Sequence, residues 1–149
     1  RITNHSSIDT SPSFSPDGEI IFSRGKKIMI MNEDGSNLKT LAELEIDPED
    51  PIFIDPNTIA FETKISNVGN YGLGDYDIYL INKDGTNLRD ISQNNFVDAL
   101  PQPIGNKITF WRIQEGKQGT QIVVMDFDGT NQQELPIQLS NNQMPTGNQ

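Results

Sequence analysis

A seven-residue turn motif occurs three times in this chain of 149 residues. The copies are residues 32–38 (NEDGSNL), 82–88 (NKDGTNL) and 126–132 (DFDGTNQ). Each copy follows a largely apolar run of four residues: IMIM, IYLI and IVVM. An Asp-Gly step after an apolar run favours a tight hairpin turn, because Gly adopts positive φ without strain. The repeat therefore predicts β-strands on both sides of each turn.

A second pattern precedes each apolar run. Segments 9–14, 48–53 and 98–103 each contain proline and lead into a turn, which is followed by a strand ending in phenylalanine (IIF, IAF and ITF). Every unit thus reads as four short strands in about 40 to 50 residues, which is typical of a propeller blade. We predict an all-β fold in which residues 1–135 form three four-stranded antiparallel blades, at about 10–41, 48–91 and 97–135. Residues 136–149, rich in Asn, Gln and Pro, are predicted to form a polar tail that is extended or disordered.

Composition excludes several classes of function. Eleven basic and 21 acidic residues give a net charge of −10, which repels polyanions and argues against binding to nucleic acid or to an anionic membrane surface. A cationic partner is compatible with this charge, although an acidic surface also keeps a protein soluble without any partner. The absence of cysteine excludes disulfides and thiolate sites, and no apolar run approaches the roughly 20 residues that insert into a membrane.

The residues that could be catalytic or bind a metal are better explained by structural roles. His5 is the only histidine and no Gly-x-Ser-x-Gly motif occurs, so we interpret His5 as structural. The Asp126-x-Asp128-Gly step lacks the spacing of an EF-hand, which favours a turn over a calcium loop. We therefore predict no catalytic residue, no cofactor and no metal site. Five further carboxylates are interpreted as a solvated acidic loop rather than a glycosidase pair or a calcium site: Glu43, Glu45, Asp47, Glu49 and Asp50.

Residues 1–5 (RITNH) and 8–18 (IDTSPSFSPDG) resemble the TolB-like β-propeller repeat, and residues 28–38 (IMIMNEDGSNL) resemble its second half. The resemblance covers about 135 residues. It implies a non-catalytic platform for protein or peptide partners, located in the periplasm or secreted. Related repeats also occur in propeller domains of peptidases and in polysaccharide lyases, so the alternative is a propeller segment of such a larger enzyme. A purely structural piece without a ligand is a third possibility.

Propellers of the TolB type usually have six blades, so three blades would form half a ring. We expect either a homodimer that completes a six-bladed ring or association with a further propeller segment, in which case the chain is a fragment. An isolated half-ring would expose apolar blade faces.

A partner-binding surface is predicted on the face that holds the long loop at residues 64–76 and the loop at residues 112–120. Long loops on a rigid scaffold are often functional, and Tyr, Trp and Arg are enriched in binding hot spots. The alternative is that Trp111 belongs to the core and that the loop is tolerated variation. The predicted binding residues are Tyr71, Asp75, Tyr76, Trp111 and Arg112.

Overall fold

The computed structural model describes residues 3–67 and 74–136, and the regular structure in these ranges consists of β-strands without a helix. The described part of the chain accordingly contains no helix that could cross a membrane. The all-β prediction is confirmed. The strands are β1 (Thr10–Phe14), β2 (Glu19–Arg24), β3 (Lys27–Asn32), β4 (Lys39–Glu43), β5 (Glu49–Asp55), β6 (Thr58–Ser66), β7 (Asp75–Asn82), β8 (Arg89–Asp90), β9 (Val97–Ile104), β10 (Lys107–Ile113), β11 (Gln121–Asp126) and β12 (Gln133–Leu135).

The strands pair with their neighbours in sequence as antiparallel meanders. Strands β1–β4 form a four-stranded sheet, which we call meander 1. Strands β5–β8 (meander 2) and β9–β12 (meander 3) follow the same order, and one parallel pair, Tyr76 with Val97, joins them into an eight-stranded sheet. The chain therefore repeats one up-and-down unit three times.

The Asp-Gly motifs connect the third and fourth strand of each meander, as predicted. The turn has three residues rather than two, because Asn32 N–H donates to Ser36 O while Gly35 N–H donates to Asn32 O. Gly35 has a φ of 85°, and the Asp34 carboxylate accepts the Ser36 N–H at 2.8 Å. This is the turn in which glycine takes the left-handed position. The other two copies repeat the arrangement with Gly85 and Gly129.

Two apolar layers hold the meanders face to face. The layer between meanders 1 and 2 contains Ile21, Ile28, Ile30, Phe53, Ile59, Phe61 and Ile81, among others. The layer between meanders 2 and 3 contains Ala60, Ile78, Leu80, Ile108, Phe110, Val123 and Met125. Burial of this apolar surface is the main stabilising contribution to a sheet stack.

The continuous apolar runs of β3 (IMIM) and β11 (IVVM) predict strands that are buried on both faces. All four residues of the β3 run are buried, which confirms the prediction there. In β11, Val123 and Met125 are buried against meander 2, but Ile122 and Val124 are only half-buried. Successive strand residues point to opposite faces, so Ile122 and Val124 lie on the face of meander 3 that is turned away from meander 2.

Candidate functional site

Three residues with positive φ mark equivalent positions in the three meanders. Ser11, Asp50 and Leu100 have φ values of 51°, 46° and 54°, and each precedes a proline on the first strand of its meander. The residue before each of them pairs across to the second strand. These cross-strand pairs are Thr10 with Ser23, Glu49 with Glu62, and Ala99 with Trp111.

Two of these pairs border one pocket between meanders 2 and 3. The pocket has a volume of about 220 Å³. Its lining residues are Glu49, Glu62, Tyr76, Val97, Ala99 and Trp111. Residues from β5, β6, β7, β9 and β10 thus converge on a single concave site beside the junction of Tyr76 with Val97.

Glu62 is the most buried charged side chain of the pocket, with 6% of its surface exposed. Its Oε2 accepts the backbone N–H of Leu100 from meander 3. Loss of hydration raises the pKa of Glu62 to about 7, and the charges of Asp50 and Glu49 act in the same direction, whereas the Leu100 N–H lowers it. Near neutral pH this carboxyl therefore exchanges between its neutral and charged forms.

Glu49 lies opposite Glu62 at the exposed rim of the pocket. Loss of hydration raises the pKa of Glu49 above its ordinary value, and the neighbouring carboxylates of Asp50 and Asp47 add to this, while Lys64 lowers it. Like charges placed directly across a strand pair are unfavourable. The two facing carboxylates therefore give this side of the pocket a negative charge when both are ionised.

Tyr76 and Trp111, both predicted as binding residues, are brought together in this pocket and are half-buried. The Nζ of Lys64 lies 5.8 Å from the centre of the Tyr76 ring, within the range of a cation–π contact. Loss of hydration raises the pKa of the Tyr76 phenol, with the charges of Glu49 and Glu62 contributing next. The Tyr76 ring thus lies beside the carboxylates of Glu49 and Glu62 in the same pocket.

Of the two predicted residues Tyr71 and Asp75, the structure describes Asp75. Asp75 opens β7 opposite Ser66, and its Oδ1 is buried without a hydrogen-bond partner in the described chain. Tyr71 lies outside the described residues. The predicted loop at residues 64–76 is shorter than expected, because Lys64 pairs with Tyr76 and extends the strands into it.

Arg112 has a different placement from the one expected of a surface residue. Only 7% of it is exposed, and its Nε and Nη2 donate to the two carboxylate oxygens of Asp98 at 2.6 and 2.7 Å. The guanidinium also lies 5.4 Å from the centre of the Phe110 ring. Arg24 makes the same contacts with Asp9 and Phe22 in meander 1, so the arrangement is a feature of the repeat. The guanidinium of Arg112 thus supports the packing of meander 3, and its contact with a partner stays a prediction.

The remaining candidates are engaged in local structure. His5 Nδ1 accepts the N–H of Ser7 at 3.0 Å. Asp126 binds Lys107 and accepts from Asn131 Nδ2 at 2.7 Å, in keeping with a turn. Among residues 3–67 and 74–136, no group of three or more His, Cys, Asp or Glu side chains is placed to hold a metal ion.

Glu62 was not among the predicted residues, although the sequence contains a signal for it. The residue that follows the phenylalanine of the second strand is Ser23 in meander 1, Glu62 in meander 2 and Trp111 in meander 3. Alignment of the three copies would have shown a carboxylate at a position that the fold buries. The prediction of a solvated acidic loop is likewise too simple for Glu49 and Asp50, which belong to β5.

No family model matches the sequence, and no curated protein matches it. Solved structures do share the fold. A protein assigned as TolB from Agrobacterium tumefaciens is 21% identical, with 89% of this chain and 50% of that chain covered and a TM-score of 0.68. Hydrazine synthase from Kuenenia stuttgartiensis is 18% identical, with coverage of 89% and 26% and a TM-score of 0.74. TolB from Acinetobacter baumannii is 19% identical, with coverage of 90% and 34% and a TM-score of 0.66.

The chain therefore has a β-propeller fold. The propeller is TolB-like, which confirms at the level of the fold the resemblance seen in the sequence. The chain spans half or less of the length of these three proteins.

Proposed function

We propose that this chain is a non-catalytic part of a β-propeller that binds a protein or peptide partner, in the periplasm or outside the cell. The observation that carries the proposal is the convergence of Tyr76 and Trp111, from two different meanders, on one pocket of about 220 Å³. Aromatic anchors that surround a concave site are typical of binding hot spots. The TolB-like fold supports the same function, because TolB proteins act as interaction platforms in the bacterial envelope.

The segment beside the pocket is well suited to present a binding surface. Asn94 Nδ2 donates to Asp98 Oδ2 at 2.7 Å and Asn94 Oδ1 accepts the Phe96 N–H at 2.7 Å, which fixes the connection from β8 to β9. Phe96 O in turn accepts the N–H of Tyr76 at 3.1 Å. A site held by such a network loses little entropy on binding, which favours affinity.

A peptide display library selected against the protein tests the proposal. We expect selected peptides to bind in calorimetry, and Tyr76→Ala and Trp111→Ala each to weaken that binding by about tenfold or more. Phe14→Ala is the control, because Phe14 is an aromatic side chain that is 66% exposed and lies outside the pocket. Failure to select any peptide, or equal affinity for the wild type and both pocket variants, would contradict the proposal.

We further propose that the three meanders are three blades and that a second copy of the chain completes a six-bladed ring. The support is the outward face of meander 3, where Ile113, Ile122 and Val124 are half-buried apolar residues on one side of the sheet. Inner strands of a propeller are covered on both sides by neighbouring blades, so this face lacks the cover that a fourth blade would give.

Light scattering after size exclusion tests the ring. A mass near twice 16.6 kDa, lowered to 16.6 kDa by Ile122→Asp, is the expected result. A monomer at all concentrations would contradict pairing of two copies and would favour completion of the ring by a further propeller segment.

The alternative function is a propeller segment of a larger enzyme such as a peptidase or a polysaccharide lyase. Hydrazine synthase, which shares the fold over 26% of its length, shows that an enzyme can contain such a unit. A catalytic domain in the same reading frame would favour this alternative over a free-standing binding platform.

A further inference from the structure

We propose that the pocket between Glu49, Glu62, Tyr76 and Trp111 is a subsite for the ammonium group of a lysine side chain. The inference rests on the proposed function, because that lysine would belong to the bound protein or peptide. It adds the chemistry by which the partner is recognised.

The two carboxylates of the pocket are not required by the repeat. The positions that Glu49 and Glu62 occupy in meander 2 hold Thr10 and Ser23 in meander 1. The propeller unit thus forms with uncharged residues there. A facing pair of carboxylates, one of them 94% buried, costs stability through repulsion and loss of hydration, since 6% of Glu62 is exposed. A destabilising departure from an otherwise repeated unit indicates a function for the departing residues.

No basic side chain among residues 3–67 and 74–136 forms an ion pair with Glu49 or Glu62. The six ion pairs in these ranges involve other carboxylates. Arg24 and Arg112, which pair with Asp9 and Asp98 in meanders 1 and 3, have no basic counterpart in meander 2: the residue that follows Glu62, as Arg112 follows Trp111, is Thr63, whose Oγ1 donates to Asp47 O. Within the described residues the two carboxylates therefore have no ion-pair partner; the nearby ammonium group of Lys64, over the Tyr76 ring, lowers the pKa of Glu49 without forming an ion pair with it.

The shape and lining of the pocket select among cations. Tyr76, Trp111, Val97 and Ala99 provide apolar walls for the methylene stem of lysine, while the carboxylates accept hydrogen bonds from its ammonium group. The Nζ of Lys64 already lies over the Tyr76 ring at 5.8 Å, which shows that an ammonium group is accommodated at this aromatic face. A divalent metal would require six or more oxygen ligands, whereas the lining offers two carboxylates among mostly apolar side chains.

The single tryptophan of the chain provides a direct probe, because Trp111 lines the pocket. N-acetyl-lysine methylamide is titrated into the full chain near pH 8 over a millimolar range while Trp111 emission is recorded. N-acetyl-norleucine methylamide is the matched neutral ligand, since it keeps the stem and lacks the ammonium group. We expect saturable binding of the lysine derivative that is about tenfold or more tighter than that of the norleucine derivative.

Variants then assign the binding to the two carboxylates. Glu62→Gln is expected to weaken binding of the lysine derivative by about tenfold. Glu49→Gln should weaken it by about threefold, because Glu49 lies at the solvated rim. Glu45→Gln is the control: it removes the same unit of charge from an exposed position outside the pocket and should change affinity less than about twofold.

Each outcome decides the proposal. Absence of binding, equal binding of the norleucine derivative, or equal losses in Glu62→Gln and Glu45→Gln would overturn the lysine subsite. Uncharged selected peptides that still require Tyr76 and Trp111 would overturn it as well, while leaving the proposed binding function intact. Loss of both lysine and peptide binding would reject the two together.

Discussion

The guanidinium of Arg112 forms a bidentate ion pair with the fully buried carboxylate of Asp98, with N–O distances of 2.6 and 2.7 Å. Removal of one partner leaves the other charged and buried, which costs about 3–5 kcal/mol in proteins. We therefore expect Arg112→Met and Asp98→Asn each to lower the free energy of unfolding by about that amount, measured by urea denaturation.

The exposed pair of Lys27 with Glu43, with an N–O distance of 3.3 Å, is the control for this prediction. Both side chains are accessible to water, so Glu43→Gln should change stability by less than about 1 kcal/mol. Equal effects of Arg112→Met and Glu43→Gln would show that the buried pair does not support the fold.

Protonation of Glu62 makes the stability of the protein depend on pH. In the folded chain the carboxyl holds its proton up to about pH 7, whereas in the unfolded chain it loses the proton near its ordinary pKa of 4.5. The folded chain thus binds more protons within this window, so its stability falls as the pH rises from about 4.5 to 7. Burial also raises the pKa of Asp77 to about 6, which acts in the same direction.

Glu62→Gln should remove the contribution of Glu62 to this dependence. We expect the variant to be more stable than the wild type near pH 8, by on the order of 2–3 kcal/mol, and nearly equal to it near pH 5. Thermal unfolding of both proteins at the two pH values provides the measurement. A wild-type advantage near pH 8 would mean that the charged form of Glu62 is stabilised by a contact in the fold.

The repeat made the order of the strands predictable, whereas the pocket between meanders could not be predicted from it. The Asp-Gly steps at 34, 84 and 128 fixed the order of strands because a turn of this kind depends on only a few adjacent residues. The pocket depends on which residues of different meanders meet, such as Tyr76 of β7 and Val97 of β9, and this is set by the packing of sheets. Arg112 shows the same limit: its residue type predicts a binding surface, whereas its ion pair with Asp98 depends on the register of β9 and β10.

Two glycines of the Asp-Gly turns should be much less tolerant of substitution than a third glycine in another turn. A Cβ on Gly129 would lie 2.5 Å from Ile91 O, and a Cβ on Gly85 would lie 2.8 Å from Leu41 O, so each turn abuts the outer edge of the preceding meander. Gly18 has the same φ of about +84° but no atom within 4 Å of its Cβ position. Alanine at Gly18 should therefore cost about 1 kcal/mol from backbone strain, whereas alanine at Gly129 or Gly85 should cost at least about 1–3 kcal/mol more. If alanine at Gly18 and at Gly129 lowers the free energy of unfolding equally in urea denaturation, the backbone at Ile91 moves away from the new Cβ without a cost in stability.

Asn94 should couple the stability of the β8–β9 connection to the pocket. Its side chain bonds Asp98 Oδ2 and the Phe96 N–H, and Phe96 O accepts the N–H of Tyr76 at the pocket wall. Asn94→Ala leaves these groups without their partner and should cost about 1–3 kcal/mol of stability. We also expect faster amide hydrogen exchange at Phe96 and Tyr76, because opening of this segment no longer breaks the Asn94 bonds.

The control is Asn57→Ala, since Asn57 is exposed in the turn between β5 and β6. It should leave exchange at Phe96 and Tyr76 unchanged and alter stability by less than about 0.5 kcal/mol. Unchanged exchange at both amides in Asn94→Ala would mean that the pocket wall is held by the strands alone. An increase confined to the Asn94 variant would show that the polar network, in addition to the sheet, holds Tyr76 in place at the pocket wall.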